Sequence, residues 1–319
     1  MKTVILFAFA LSEACRQEAA RLDLPNLERL LARLSPSSMV SGDENSLSMP
    51  HEREIARARG IEAPDGCIPL AALAACGSTG SSTGSEAFAW ITPCHWHVAM
   101  DHITMSQSSQ LQLTPQDAHA VFQAVSPYFE QDGIAVEMHS PQRWLARGEV
   151  FRDLPTASLD RVDGGNIDRW IPRIKAASAL RRLQQETQML LYTHEVNDRR
   201  QSAGLLPINS FWISGTGALP ASAQGNSPVA MDVKDTLREP ALAQDWAAWS
   251  AAWRELDATL LASLGSALDK GEPISLTLCG ERSSRTWTMP SGRSFLRKLG
   301  ARMTGALAGK RVPAALEAL

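Results

Sequence analysis

An α/β fold is the class this sequence predicts, and three alternations of extended and helical pattern predict it. An apolar run, Val4 to Leu11, precedes an amphipathic stretch from Ala19 to Leu34 striped by Leu24, Leu27, Leu30, Leu31 and Leu34. A helix opening at Thr114-Pro115 precedes the extended run Gly133-Ile134-Ala135-Val136-Glu137-Met138. Trp246, Trp249, Trp253, Leu256 and Leu260 recur at helical spacing before a last strand, Pro273 to Cys279. At 319 residues, 44% hydrophobic and 20% charged, the chain suits one large or two ordinary globular domains.

Composition also excludes classes. A net charge of −3 gives no basic face for nucleic acid. No apolar run approaches the roughly 20 residues that span a bilayer, so no membrane partner is expected. Lys2 with Val4–Leu11 imitates a signal peptide, and Ala14-Cys15 a lipoprotein cleavage site. The apolar core is nevertheless short, and Glu13 stands where a small residue is wanted, so a cytoplasmic location is the expectation. The five cysteines (Cys15, Cys67, Cys76, Cys94, Cys279) form no CxxC pair and suggest neither a disulfide framework nor a zinc knuckle.

In chain order, residues 35–50 read as a polar loop, and His51 to Arg59 as a helix closed by Gly60. Gly77 to Ser85 has linker composition, and no Lys follows its glycines as a Walker motif requires. Phe88 to Thr104 reads as one strand, with Trp96, Val98 and Met100 alternating against His95, His97 and Asp101. The helix capped by Thr114 ends near Tyr128, the following strand leads to a Trp144-containing turn, and Ala157 to Pro172 is a glycine-bearing loop. After Gly217 comes a loose segment, residues 218–228, and a basic amphipathic tail closes the chain. Aromatics spaced as in the tryptophan helix are core far more often than a cofactor box.

The centre of the sequence is Leu180 to Gly217. Leu183, Glu186, Leu190, His194 and Asn197 fall three and four apart on one helix face, apolar at first and polar before the stop at Gly204. Such a helix fits a site wall; it equally fits a core helix whose last turn carries solvated charges, with Arg199 and Arg200 near the negative end of the dipole. His95, His97, Asp101 and His102 form the best metal candidate by residue type, though a regular strand would turn His102 to the other face. Their alternative is an aromatic-lined strand with hydrogen-bonded histidines. No GxSxG elbow is present, and Ser214-Gly215-Thr216-Gly217 is either a plain turn or an anion-binding one.

The run TQMLLYTHEVNDRRQSAGLLPINSFWISGTG, together with AWITPCHWHVAMDHI and ASLDRVDGGNIDRWIP, resembles the RpfE-type bacterial regulatory proteins. These are relatives of the cofactor-independent, archaeal-type phosphoglycerate mutases of the alkaline phosphatase superfamily. On that likeness His194, Asn197, Arg200, Gly204, Pro207, Asn209, Gly215 and Gly217 match the mutases' pattern. The resemblance implies an alkaline-phosphatase-like core over 1–76 and 218–319, and a smaller inserted α/β domain over 77–217 carrying the polar pocket. The chain departs from the family where metal should bind. The first strand, FAFALSEA, offers only Glu13 in place of an Asp-Gly, and no Asp precedes Asp23. None of the seven histidines follows His194, and the strand that should end in Asp-His ends LTLCGER, with Gly280 and Glu281 there. Ser46 and Ser48 lie in the nucleophile's region without its motif.

The expectation is a regulatory, mutase-like protein without metal-dependent catalysis. Its ligand is a small anionic metabolite, held among His95, His97, Asp101, Arg161, His194, Asn197, Arg200 and Asn209, because arginines suit bidentate carboxylates and phosphates. No cofactor is expected. The alternative is an active mutase or phosphatase with a rearranged manganese or zinc centre on the strand histidines. A second alternative is a ligand-free protein-interaction module using the tryptophan helix or the basic tail.

Overall fold

The computed structural model describes residues 2–37, 39–79, 85–220, 231–290 and 311–319. The fold is mixed α/β and divides into two compact units: Met1–Glu44 with Pro228–Leu319, and Asn45–Ser227.

The first unit opens with β1 (Lys2–Ile5), α1 (Glu13–Arg21), α2 (Pro25–Arg33) and the short strands β2 (Ser35–Pro36) and β3 (Val40–Ser41). The initial apolar run is strand only to Ile5. Leu6 to Phe9 stay buried but turn, with Phe7 at a φ of 53°. The amphipathic stretch that follows is two helices instead of one, because Pro25 pre-sets the first turn of α2 and cannot continue a helix from before it.

The second unit contains α3 (Pro50–Ala58), α4 (Leu70–Thr79), β4 (Ala87–Cys94), β5 (Trp96–Val98), β6 (Ile103–Met105) and α5 (Pro115–Gln131). It continues with β7 (Ala135–Ser140), β8 (Arg143–Arg147), α6 (Ser178–Tyr192), α7 (Glu195–Ser202) and β9 (Ser210–Ala218). Its main sheet has the order β7-β8-β4-β9 and is antiparallel throughout. β4 is buried along its whole length because both faces are covered. Ala87, Ala89 and Ile91 face the cluster built with α5 and α6, including Val121, Val125, Phe129, Leu180 and Leu183. The alternate residues, Phe88 and Trp90, pack against Ala71, Ala72 and Ala75 of α4. That contact places residues 45–76 with this unit, whereas the sequence reading grouped them with the N-terminal strand. Gly77 to Thr79 finish α4 instead of opening a linker; residues 80–84 lie outside the described ones.

Three further sequence expectations change here. Phe88–Thr104 is not one strand: β4 ends at Cys94, and β5 and β6 form an antiparallel hairpin in which His97 pairs with Thr104. Trp144 lies buried within β8, not in a turn. The Ser214–Gly217 motif is part of β9, where the register slips against Phe88 and Trp90. Gly215, at φ 62°, lets α4 come close: a Cβ there would stand 3.1 Å from Trp90 Cδ1 and 3.3 Å from Leu70 Cβ. The motif's glycines therefore serve packing.

The first unit resumes with β10 (Met231–Lys234), α8 (Arg238–Leu242), α9 (Trp246–Leu256), α10 (Ala262–Asp269), β11 (Ser275–Cys279), β12 (Ser283–Thr288) and α11 (Arg311–Glu317). Its sheet runs β10-β1-β11-β12-β2, with β3 beside β12; β1 is parallel to both neighbours, and β12 is antiparallel to β11. A π turn at Asp257–Leu261 links α9 to α10, and the Asp257 carboxylate receives the N–H groups of Asn26 and Leu27 at 3.1 and 2.8 Å. Trp249 and Trp253 are fully buried, with the Trp249 indole donating to the Phe7 carbonyl at 3.0 Å. Trp246, the third tryptophan of this helix, is partly exposed. Most of the loose segment after Gly217 (221–228) and of the basic tail (291–310) falls outside the described residues. Among the described residues no helix is long and apolar enough to cross a membrane.

Candidate functional site

The Leu180–Gly217 stretch does not make one helix with a polar end. α6 stops at Tyr192, and His194 begins a new helix as its N-cap, Nδ1 accepting from Val196 N at 3.2 Å. Asn197, 2% exposed, donates from Nδ2 to the carbonyls of Leu191 (2.8 Å) and Ile208 (2.7 Å) and accepts from Ile208 N at 2.8 Å. Arg200, 1% exposed, donates to the Leu206 carbonyl (2.8 Å), to Asp117 Oδ2 (2.7 Å) and to the Leu111 carbonyl. Asn209 grips Trp96 at both ends, accepting from its N–H at 2.7 Å and donating to its carbonyl at 2.8 Å. His95 Nδ1 donates to the Pro207 carbonyl at 2.8 Å, which fixes its tautomer. These four side chains fasten the 205–209 connection to α6, α5 and the root of the β5–β6 hairpin. Their polar groups serve backbone that would otherwise be buried without partners.

The hairpin carries the rest of the histidine group outward. His97 is exposed, and the Asp101 carboxylate pairs with His102 Nδ1 at 2.6 Å. That bond, with the imidazole's charge, holds the Asp101 carboxyl below its usual range. Burial lowers the His95 imidazole, and the neighbouring His97 adds to the effect against the Pro207 carbonyl. Because the chain doubles back at the tip, where Ala99 N donates to the His102 carbonyl at 2.9 Å, alternation returns His102 to the His97 face. A single strand would have placed it opposite. Every His, Cys, Asp and Glu of the sequence is among the described residues. No three of them form a group that could hold a metal ion.

The eighth candidate, Arg161, lies elsewhere in the unit, in a cluster that sequence reading missed. His51 and Glu52 stand in the first turn of α3, and Ser158, Asp160 and Arg161 in a single 3-10 turn region. His51 Nε2 is 3.4 Å from Asp160 Oδ2, with both side chains under a tenth exposed. Glu52 Oε2 accepts from Met49 N at 2.9 Å. Burial pushes the Glu52 carboxyl from its ordinary 4.5 to about 7. Hydrogen bonds from Met49 N–H and the Ser158 hydroxyl oppose that rise; Asp160 adds to it, and Arg161 reduces it. A buried acid near neutrality beside a His, an Asp and an Arg marks a candidate functional site. The one available signal was Pro50 at the helix start with Glu52 at its third position. It reads as capping and says nothing of Asp160.

The expected nucleophile region is tied down as well. Ser48, 2% exposed, accepts from Gly66 N at 2.8 Å, while Asp65 receives Leu47 N and Ser48 N at 2.7 and 2.9 Å. None of the five cysteines is in a disulfide, and burial pushes the Cys15 thiol up to about 11, far from a reactive thiolate.

In the first unit, the carboxyl ends of β1 and β11 are where a parallel sheet usually offers a ligand site. Here Phe7 and Phe9 are buried, Ala8 N donates to the Cys279 carbonyl at 2.8 Å, and Leu319 seats on Gly280. Glu13 points outward in α1 with Arg16 at 2.7 Å, and Glu281 accepts from Leu11 N at 2.9 Å.

The chain is similar in structure to the cofactor-independent phosphoglycerate mutase from Thermoplasma acidophilum DSM 1728: 13% identity, 98% of this chain and 94% of that one, TM-score 0.40. It is also similar to the PH0037 protein from Pyrococcus horikoshii: 14% identity, 92% of this chain and 88% of that one, TM-score 0.47. No protein-family model matches the sequence, and no curated protein does.

Proposed function

We propose that this is a regulatory protein of the RpfE type, mutase-like in its sequence motifs, that works by binding a small anionic metabolite and not by metal-dependent catalysis. The observation that carries the first half is the closed carboxyl end of β1 and β11. Phe7, Phe9 and Leu319 are buried at the end of the sheet where the resemblance to the mutases would put Asp and His metal ligands. The second half rests on Arg161. Of the eight candidate ligand residues, His95, Asn197, Arg200 and Asn209 already serve backbone groups and Asp117, so they act here as scaffold. Arg161 sits in the polar cluster around Glu52, and a guanidinium suits carboxylate or phosphate oxygens. His97, Asp101 and His194 are partly or fully exposed, with Asp101 paired to His102 and His194 Nδ1 capping α7.

Two measurements test this. Mass spectrometry of protein grown with added manganese and zinc should find essentially no bound metal; about two equivalents per chain would restore the enzyme. Calorimetric titration with phosphoglycerates and inorganic phosphate should give heat that disappears in Arg161→Gln. An intact fold with no heat for any of these anions would remove the ligand.

A further inference from the structure

We infer that β7 is a self-association edge. Two copies of this chain pair β7 antiparallel about a two-fold axis at Met138, joining their four-stranded sheets into one. The inference goes beyond ligand binding and does not depend on it.

An edge strand offers alternate backbone N–H and C=O groups to whatever lies beside it. The main sheet of the second unit has two such edges, and they are treated differently. β9 is buried along most of its length, and Gln184 Nε2 donates to its Phe211 carbonyl at 3.1 Å. β7 has only β8 beside it, and among the described residues nothing hydrogen-bonds to Ala135–Ser140 from the outer side. Its exposure alternates. Val136 and Met138 pack against the cluster built with α5, while Ala135, Glu137 and His139 are exposed. The His139 ring packs on Trp90 with centroids 5.4 Å apart, and among the described residues Glu137 has no ion-pair partner.

Charge selects both the occupant and the register. With the axis at Met138, Glu137 of each copy lies opposite His139 of the other, and Val136 lies opposite Ser140. A carboxylate opposite an imidazole is a favourable cross-strand pair, and the symmetry makes it twice. An axis at Glu137 would set two carboxylates face to face, which is destabilising. An axis at Val136 would leave Glu137 opposite Ala135. The ladder to β8 slips between Met138 and Ser140, so His139 has no partner residue there. A bulge and a charge are the usual guards of an edge against stray strands. Here they admit the strand whose imidazole meets the Glu137 carboxylate. A six-residue edge buries less than the roughly 1,000 Å2 of a lasting interface, so the dimer is a weak one that forms with concentration.

Sedimentation of the full chain from about 1 to 200 µM tests it, and the mass should rise from monomer towards dimer. Glu137→Lys and His139→Glu each set like charges opposite one another and should raise the dissociation constant about tenfold. The double variant pairs Lys with Glu across the axis and should restore the wild-type value. Oxidised Met138→Cys should form a reducible dimer, because directly opposite residues lie about 4.5–5.5 Å apart between Cα atoms. Val136→Cys should not, since the two copies of that residue stand about 13 Å apart along the strands. The wild type, with its five native cysteines, is the control. A monomer at every concentration overturns the inference. So does a dimer that the single variants leave unchanged or the double variant fails to restore. Should a charge variant not fold, the cross-linking pair decides, and equal cross-linking of the two positions, or none at Met138→Cys, overturns the pairing.

Discussion

Asn197 holds Ile208 by both of its backbone groups. Its Nδ2 donates to the Ile208 carbonyl at 2.7 Å, and its Oδ1 accepts from the Ile208 N–H at 2.8 Å. The same Nδ2 reaches the Leu191 carbonyl at 2.8 Å, so one amide joins the end of α6 to Ile208, two residues before β9. Asn197→Ala should cost about 2–4 kcal/mol by urea unfolding, because three buried backbone groups lose a partner together. Asn197→Asp keeps the acceptor and loses both donors, so it should recover only part of that loss. A cost within about 0.5 kcal/mol, as at an ordinary surface site, would show that the amide is not what holds Ile208.

Arg200 and Asp117 form a buried ion pair at 2.7 Å between α7 and the first turn of α5. Removing either partner leaves the other charge under apolar cover, so Arg200→Met and Asp117→Asn should each cost about 3–5 kcal/mol, Arg200→Met the more. Arg200→Met also strands the Leu206 and Leu111 carbonyls. The double variant should lose less than the sum, with a coupling of about 1–3 kcal/mol in a double-mutant cycle. Strict additivity would mean that the two residues act separately.

These pairs show what was legible in the sequence. Several local patterns were read correctly, although the first apolar run, the Ala19–Leu34 stretch and the turn at Trp144 were not. Thr114 caps α5 through Asp117 N at 3.1 Å, Trp249 and Trp253 are core, and β11 lies where the apolar run put it. The polar motif around Asn197 was visible too, but its role was not. Residue type and spacing mark Asn, Arg and His as important; they do not say whether backbone or ligand receives the hydrogen bonds. The Phe88–Thr104 strand failed for a related reason, because Asn209, far along the chain, claims the Trp96 backbone and turns it into a hairpin root. The His51–Glu52–Asp160 cluster had no local signature, since distant segments assemble it.

Glu52 should make stability fall with rising pH. Its carboxyl is raised in the folded state, from 4.5 to about 7, so between those values the native chain binds a proton the unfolded chain has released. The favourable contribution is complete below the unfolded value and is lost as pH rises through the folded one. The loss should total about 3 kcal/mol. Asp65 acts in the opposite sense at lower pH: its lowered carboxyl contributes stability above its ordinary range that disappears on acidification. Urea unfolding followed from about pH 5 to 8 should therefore show a decline that Glu52→Gln removes, and the variant should be the more stable protein at the upper end. An identical slope in the two proteins would place the Glu52 carboxyl in water.

The contact of Leu319 with Gly280 decides how firmly the end of the parallel strands is closed. A Cβ at Gly280 would stand 2.6 Å from Leu319 Cβ and 2.9 Å from its carbonyl oxygen, while Ser283 N holds that oxygen at 2.8 Å. Gly280→Ala must displace Leu319, and overpacking of this kind costs about 1–3 kcal/mol. Leu319→Ala alone removes a buried side chain and should cost about 2–4 kcal/mol, less where the site collapses. Combining the two should cost less than their sum, because the displaced residue has already lost its packing. Additive losses, or a neutral Gly280→Ala, would mean that Leu319 does not occupy this end of the sheet in solution. The apolar closure behind the metal-free reading would then be open, and metal content would have to be measured again in the wild type and in Leu319→Ala.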